Sequence, residues 1–289
     1  MNSLPLIRKN VLAATALLCL SQVCAAEQTY LIRFKFQPDE QLRYQSLHCV
    51  TQTAAAAAGQ KVDTTKVEQT RVFRITKVTE DGAANVSMQF EHVRMELKSG
   101  QGELEVFDSK MPDQLVPQKF RHTADKLKGS APKYTLQADG TPVSELGLEL
   151  VPDGGQASFM MPLPKQQLAV GETWKVNMMV KPRIAEGVIR EILLLRTYRL
   201  ESVDDGIATI TFATSLSSPV KSPAVKAQLL QATPLGTITF DLNKGVVLKR
   251  VLKFDKSVLG ALGPNTMLSA VGNIEEHLLT DTEPSVTVR

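Results

Sequence analysis

Apolar residues recur at every second position through most of this chain, and turns rich in Gly, Pro and Asp cut that alternation into lengths that suit antiparallel strands. A period of two sends successive side chains to opposite faces, so the chain is predicted to form sheets with a greasy side that must be covered. Tyr30 to Phe36 and Leu42 to Val50 alternate on either side of Gln37-Pro38-Asp39-Glu40 and read as a hairpin. Ala54 to Ala58, followed by Gly59, has no polar face and reads as a long hairpin loop or a single helical turn. Thr65 to Val78 is a long strand, turned at Glu80-Asp81-Gly82 and returned by Asn85 to Lys98. On that return the apolar set changes phase, from Val86, Met88 and Phe90 to Val93, Met95 and Leu97, which predicts a β-bulge near His92. Glu103 to Phe107 is a further short strand.

One stretch departs from the period of two. Val116, Phe120, Ala124 and Leu127 recur at helical spacing, with Pro117 near the start and Gly129 at the end, and predict an amphipathic helix over 114–128 packed on the sheet. Tyr134 to Gln137 and Pro142 to Ser144 then flank Asp139-Gly140, a strong hairpin signal.

The second half echoes the first in the same order. Arg71-Val72-Phe73-Arg74-Ile75 with Asp81-Gly82 is matched by Arg196-Thr197-Tyr198-Arg199-Leu200 with Asp205-Gly206, and Val86 to Phe90 by Ala208 to Phe212. Glu40 to Tyr44 parallels Glu172 to Val176, and Tyr134 to Gly140 parallels Ile238 to Gly245. Ser222-Pro223 opens a helical candidate ending near Ala232 where the first half has 114–128. Conserved order favours a duplicated module over chance likeness between hairpins. Between the halves, Pro152-Asp153-Gly154-Gly155 and Pro162-Leu163-Pro164 mark a connector from about Leu146 to Ala169. The expected fold is mainly β, with large twisted antiparallel sheets and one or two short helices. Two arrangements remain open: a pair of related β-modules, at 27–150 and 151–280, or one curved half-barrel, with a loose tail at 281–289 in either case.

Residues 1–26 read as an export signal: Arg8 and Lys9, a short apolar run from Val11 to Leu20, then Cys24-Ala25-Ala26 before Glu27. The apolar run is too short to span a bilayer. Acylation at Cys24 is the minor alternative, since Val23 stands where a small residue is favoured. A periplasmic or extracellular protein is therefore expected. Apart from Arg8 and Lys9 the chain is close to neutral, which supplies no field for nucleic acid. With Cys49 as the remaining cysteine, neither an internal disulfide nor a cysteine-based zinc site is expected.

Phe36-Gln-Pro-Asp-Glu-Gln-Leu-Arg-Tyr44, Pro162-Leu-Pro164 leading to Val170-Gly171-Glu172-Thr173-Trp174, and Gly236-Thr-Ile-Thr-Phe-Asp241 with Gly245 resemble a family of secreted bacterial proteins known as a domain of unknown function. The resemblance spans Tyr30 to Leu278. It implies an all-β envelope protein and brings no catalytic residues.

No catalytic set, cofactor or metal site is predicted. Among the histidines, His48 and Cys49 are strand neighbours and face opposite ways, while Glu275 and His277 share a face but make two ligands where zinc needs three or four. Ser109 follows Phe107-Asp108 with no base placed beside it by any motif, and Asp204-Asp205 falls in a turn where Asp is favoured for backbone reasons. Arg71, Arg74, Arg196 and Arg199 read as a solvated sheet face. Trp174, the sole tryptophan, is either a core anchor or a ligand platform. The functional expectation is a non-enzymatic envelope protein that binds a lipid, another hydrophobic molecule or a partner protein. The runners-up are a purely structural or interaction module, and then a secreted hydrolase.

Overall fold

The structure, a computed structural model, describes residues 28–128, 133–143, 161–185 and 188–280. The export signal at 1–26, the Gly129 cap, Ser144, the Pro152-Asp153-Gly154-Gly155 connector and the 281–289 tail lie outside the described residues. In chain order the first half gives β1 (Thr29–Tyr30), β2 (Gln41–Ala56), β3 (Gly59–Val78), β4 (Ala84–Ser99), β5 (Leu104–Asp108), α1 (Arg121–Leu127) and β6 (Lys133–Leu136). The second gives β7 (Leu168–Ala169), β8 (Thr173–Val180), β9 (Arg183–Ala185), β10 (Val188–Ile189), β11 (Ile192–Asp204), β12 (Ile207–Leu216), α2 (Pro223–Gln228), β13 (Leu235–Asp241), β14 (Val246–Leu259) and β15 (Met267–Leu279).

The fold is mainly β, as the alternation predicts, and of the two arrangements left open it takes the single curved sheet. Eleven antiparallel strands run in the order β5-β4-β3-β2-β15-β14-β13-β12-β11-β8, with β6 on the edge of β4 beside β5, and the sheet does not close into a barrel. Each half is an up-and-down meander. They become one sheet because β15 pairs with β2 from Leu279 opposite Arg43 to Met267 opposite Ala55.

Two adjacent backbone groups reveal how far this sheet bends. Phe34 N–H donates to Ala138 O (2.8 Å), in the turn after β6, and Lys35 N–H donates to Gly245 O (3.2 Å), in the turn before β14. Along the sheet those turns are five strand spacings apart, about 24 Å if it were flat. Neighbouring residues can reach both only if the sheet curls until its far parts nearly meet. The segment from Leu31 to Phe36 therefore closes the end of the curl instead of forming the predicted hairpin with β2; Thr29–Tyr30 pairs with Leu168–Ala169. Ile32 and Phe34 are buried in the main core with Leu42, Phe73, Ile75, Tyr198, Leu200, Ile210 and Phe240, and the Phe34 and Phe240 rings meet edge to face at 5.6 Å.

Curvature also shows in two cross-strand pairs. Phe212 stands opposite Gly236 and Phe254 opposite Gly272. Each ring lies over its glycine, where a Cβ would collide with it, so the missing side chains let the strands bend around an aromatic cover.

The predicted bulge is present: Thr70 faces His92 but Arg71 faces Phe90, leaving Glu91 as the extra residue. The helix expected over 114–128 is shorter. Pro112 and Pro117 sit at extended dihedrals and cut it into two 3-10 turns, Asp113–Leu115 and Gln118–Phe120, before α1. Its apolar stripe survives, with Val116, Phe120 and Ala124 packed on Val93 and Phe107. Ser222 caps α2 and Pro223 opens it, and Val225, Leu229 and Ala232 cover Met178, Val180, Ile192 and Leu194. The Ala-rich stretch is strand almost to its end, since Ala54 to Ala56 pair with Gly59 to Lys61 and leave Ala57-Ala58 as the turn.

Matching registers run through the two meanders. Leu42 opposes Phe73 and Tyr44 opposes Arg71, as Trp174 opposes Tyr198 and Val176 opposes Arg196. Phe73 opposes Met88 as Tyr198 opposes Phe212, and Ala84 opposes Leu136 as Ala208 opposes Phe240.

If the segment around Phe34 closes the curl, Phe34→Ala should cost about 3–5 kcal/mol by urea unfolding. Leu31→Ala, at a side chain that is 51% exposed, should change stability by less than about 0.5 kcal/mol.

Candidate ligand-binding site

The inner face of the sheet is apolar at one end and polar across its middle. Register aligns Gln69, Ser46, Glu276 and Arg250 in one row over β3, β2, β15 and β14, and the row continues as Ile238 and Ile210. Arg71 lies one pleat from Gln69, opposite Tyr44. All of these polar side chains are buried, and Arg71 and Glu276 almost completely, at 2% and 1% exposed. Glu276 is the bridge: one carboxylate oxygen pairs with Arg71 and the other lies 3.1 Å from Arg250. Tyr44 donates its hydroxyl to Val247 O at 2.9 Å.

Arg71 and Arg196 were expected on a solvated face and are instead buried, at matching positions of the two meanders. Arg196 Nε donates to Thr214 Oγ1 (2.7 Å), and its guanidinium lies 4.7 Å from the centre of the Phe212 ring. Each shares its parity with core residues, Arg71 with Phe73 and Ile75 and Arg196 with Tyr198 and Leu200, so period two itself sends them inward. Arg74 and Arg199 are exposed.

The protonation states around this row follow from burial. Desolvation, helped by the Arg71 charge, lowers His48 to about 4 and keeps its imidazole neutral at physiological pH, with Gln69 Nε2 3.4 Å away. Desolvation, helped by Glu276, pushes the Tyr44 phenol well above its ordinary value.

On the opposite face of the same strands lies an open cleft of about 630 Å³. It is laid out by register: Leu235, Lys253, Asn273 and Cys49 form one row across β13, β14, β15 and β2, and Asp255, Val271 and Thr51 form the next. Phe254 and Gly272 lie between the rows, and Thr233 and Lys256 complete the lining. Leu235 is 57% exposed and Val271 49%, so apolar groups stand in water here. Partial burial raises the Cys49 thiol; Lys66 opposes this and Glu68 and Glu275 add to it, so little thiolate forms at neutral pH. The cleft can hold an apolar body along Leu235, Val271 and the lysine stems, with polar groups at Asn273, Thr51 and Asp255 to orient it.

The remaining candidates are scattered. Trp174 stacks on Tyr198 at 4.9 Å, donates Nε1–H to Pro162 O (3.1 Å) and lies outside the cleft lining. His92 Nε2 is 3.1 Å from both carboxylate oxygens of Asp108, and Ser109 Oγ accepts from the Val93 N–H, so imidazole and hydroxyl have separate partners. His122 is exposed on α1. Glu275 and His277 lie on the outer face, with His277 opposite Lys249 and Gln45. Among the described residues, no three His, Cys, Asp or Glu side chains gather as a metal site would require.

No protein-family model matches the chain, and no curated protein matches it in sequence. Among solved structures it aligns with a structure on lipid–protein interactions in lipovitellin, at 10% identity and a TM-score of 0.48, over 88% of this chain and 26% of the other. The chain thus spans about a quarter of that protein. It also aligns with a putative outer membrane lipoprotein-sorting protein domain from Vibrio parahaemolyticus, at 10% identity and a TM-score of 0.18, covering 83% of this chain and 87% of that one.

Two predictions follow from the buried row. Glu276→Ala leaves two buried guanidinium groups without their shared carboxylate and should cost about 3–5 kcal/mol in chemical unfolding. His48 has an ordinary pKa near 6.5 when unfolded and about 4 when folded, so between these values the unfolded chain binds the proton. Stability from this group is complete above pH 6.5 and declines as the pH falls toward 4, by up to about 3 kcal/mol. Unfolding midpoints of His48→Gln should therefore fall less than those of the parent between neutral pH and about pH 4.5.

Proposed function

We propose that this is a non-enzymatic protein of the bacterial cell envelope that holds a hydrophobic, lipid-like ligand in the cleft between Leu235, Val271 and Cys49. The carrying observation is the cleft itself: about 630 Å³ with exposed Leu235 and Val271 at its walls, within the roughly 300–1,000 Å³ usual for small-ligand sites. Its chemistry fits a ligand with an apolar body and a polar end, since Asn273, Thr51 and the Lys253 and Asp255 charges border the apolar surface. The reading includes export, supported by Arg8, Lys9 and the apolar run before Cys24-Ala25-Ala26. It also includes the resemblance to secreted bacterial proteins and the descent of the two meanders from one module, which the matching registers of Tyr44–Arg71 and Val176–Arg196 favour.

The test uses cis-parinaric acid, a fluorescent fatty acid. Saturable binding should weaken about tenfold or more in Val271→Glu and in Leu235→Asp. Both side chains are exposed, so the unfolding midpoint should stay within experimental error of the parent. An absence of saturable binding, or equal binding by the parent and both variants, rejects the cleft as the site.

A further inference from the structure

The sheet ends in two hairpin tips that lie side by side. Leu259 pairs with Met267 at the end of β14–β15, and Met267 pairs with Ala55 beside the β2–β3 turn. Leu259 is 75% exposed, Leu262 62% and Met267 37%, and Ala56, Ala57 and Ala58 are exposed on the adjacent tip. Pro223, at the start of α2, borders Gly260.

Both tips and α2 come from stretches without acidic side chains: no Asp or Glu occurs from Gln41 to Val62, from Gly206 to Phe240 or from Lys256 to Ile274. The nearest acidic groups are Asp63, Asp255 and exposed Glu103 in the turn before β5, whose Gly100 N–H donates to Val62 O. Lys221 and Lys226, on either side of Pro223, and Lys256, three residues before Leu259, are exposed. Asp63 and Asp255 bound the stretches, and Asp63 is engaged by Lys61 at 3.2 Å. The β14–β15 loop also bonds in part to itself. Gly260 N–H donates to Thr266 O (2.7 Å), Leu262 N–H to Thr266 Oγ1 (3.1 Å), and Thr266 Oγ1 to Gly263 O (2.7 Å).

We infer that these paired tips, with the start of α2, dock on an anionic lipid bilayer. A protein partner could supply hydrogen bonds to an open loop, whereas an acyl layer cannot, and a loop that makes part of its bonding internally while presenting Leu262 suits a tip seated at the headgroup level. Exposed lysines and leucines in stretches that carry no Asp or Glu match an anionic headgroup layer above an acyl layer. Docking does not require the cleft, so the two proposals can fail separately.

The experiment uses protein recovered after export by the cell that makes it, with vesicles of phosphatidylethanolamine and phosphatidylglycerol and, for comparison, phosphatidylcholine alone. In a background with Cys19, Cys24 and Cys49 replaced by serine, an environment-sensitive fluorophore is attached at Leu262→Cys or, in a turn at the other end of the strands, at Glu80→Cys. Docking predicts a blue shift and several-fold brightening at Leu262→Cys on the anionic vesicles, and neither at Glu80→Cys. Flotation with those vesicles should drop about tenfold in Leu259→Ser/Leu262→Ser and in Lys221→Gln/Lys226→Gln/Lys256→Gln, and should weaken with salt in the parent. Parinaric acid binding should be the same in the leucine double variant as in the parent. An equal response at both labelled positions, no response at either, or undiminished flotation of the leucine double variant overturns the inference. So does a lipid-free, concentration-dependent shift at Leu262→Cys, which would assign the tips to a second copy of the chain.

Discussion

Pairing between β2 and β15 is the constraint on which the rest depends. Without it the chain is two meanders, each with a long unpaired edge; with it they form one sheet long enough to curl over its own core. The strands come from opposite ends of the chain, so the pairing requires closing a very long loop. Its entropic cost grows only slowly with length, though such distant contacts make folding slow. The seam also collects the features of interest. Glu276 and Ser46 lie on its inner face, Cys49, Thr51, Val271 and Asn273 on its outer face, and Ala55 and Met267 at its end.

Buried charge at the seam makes sense as a lock on register. A slip of one residue would turn Glu276 outward and bring Glu275 or His277 inward. Arg71 and Arg250 would then face the wrong partner in a medium where an unpaired charge costs several kcal/mol. An all-apolar row would pack at least as well but would discriminate less between the native register and its neighbours. The same row passes from Glu276 and Arg250 into Ile238 and Ile210, so polar pairing is concentrated near the seam and greasy packing takes over beyond it.

How much of this could be read from the residues depends on range. Alternation names the strands, their faces, the bulge opposite Thr70 and the two short helices, because each is encoded within a few neighbouring positions. Parity also places Arg71 and Arg196 inside; reading charge as solvent-facing overrode a pattern that Phe73, Ile75, Tyr198 and Leu200 state plainly. Pro112 and Pro117 explain why helical spacing from Val116 to Leu127 yields 3-10 turns and a short α1. The cleft is different. Leu235, Val271 and Cys49 become neighbours only through β13–β14, β14–β15 and β15–β2 pairing, and no local pattern specifies the last of these. The segment from Leu31 to Phe36 escapes local pattern for a related reason: it alternates like a strand, but its hydrogen-bond partners are distant turns.

A site built across the seam ties occupancy to the integrity of the whole sheet. Its lining draws on β2 from one meander and on β13, β14 and β15 from the other, so neither half can assemble it alone. A ligand that binds this arrangement and not the unfolded chain stabilises the fold by about 2.7 kcal/mol at a hundred times its dissociation constant. That gain falls on the long-range pairing with the greatest closure cost. Strengthening the seam should in turn preorganise the cleft, because the rows Leu235–Lys253–Asn273–Cys49 and Asp255–Val271–Thr51 exist only in that register. Register, buried charge and the proposed ligand binding are thus one linked equilibrium, with Glu276 on one face of the seam and Val271 on the other.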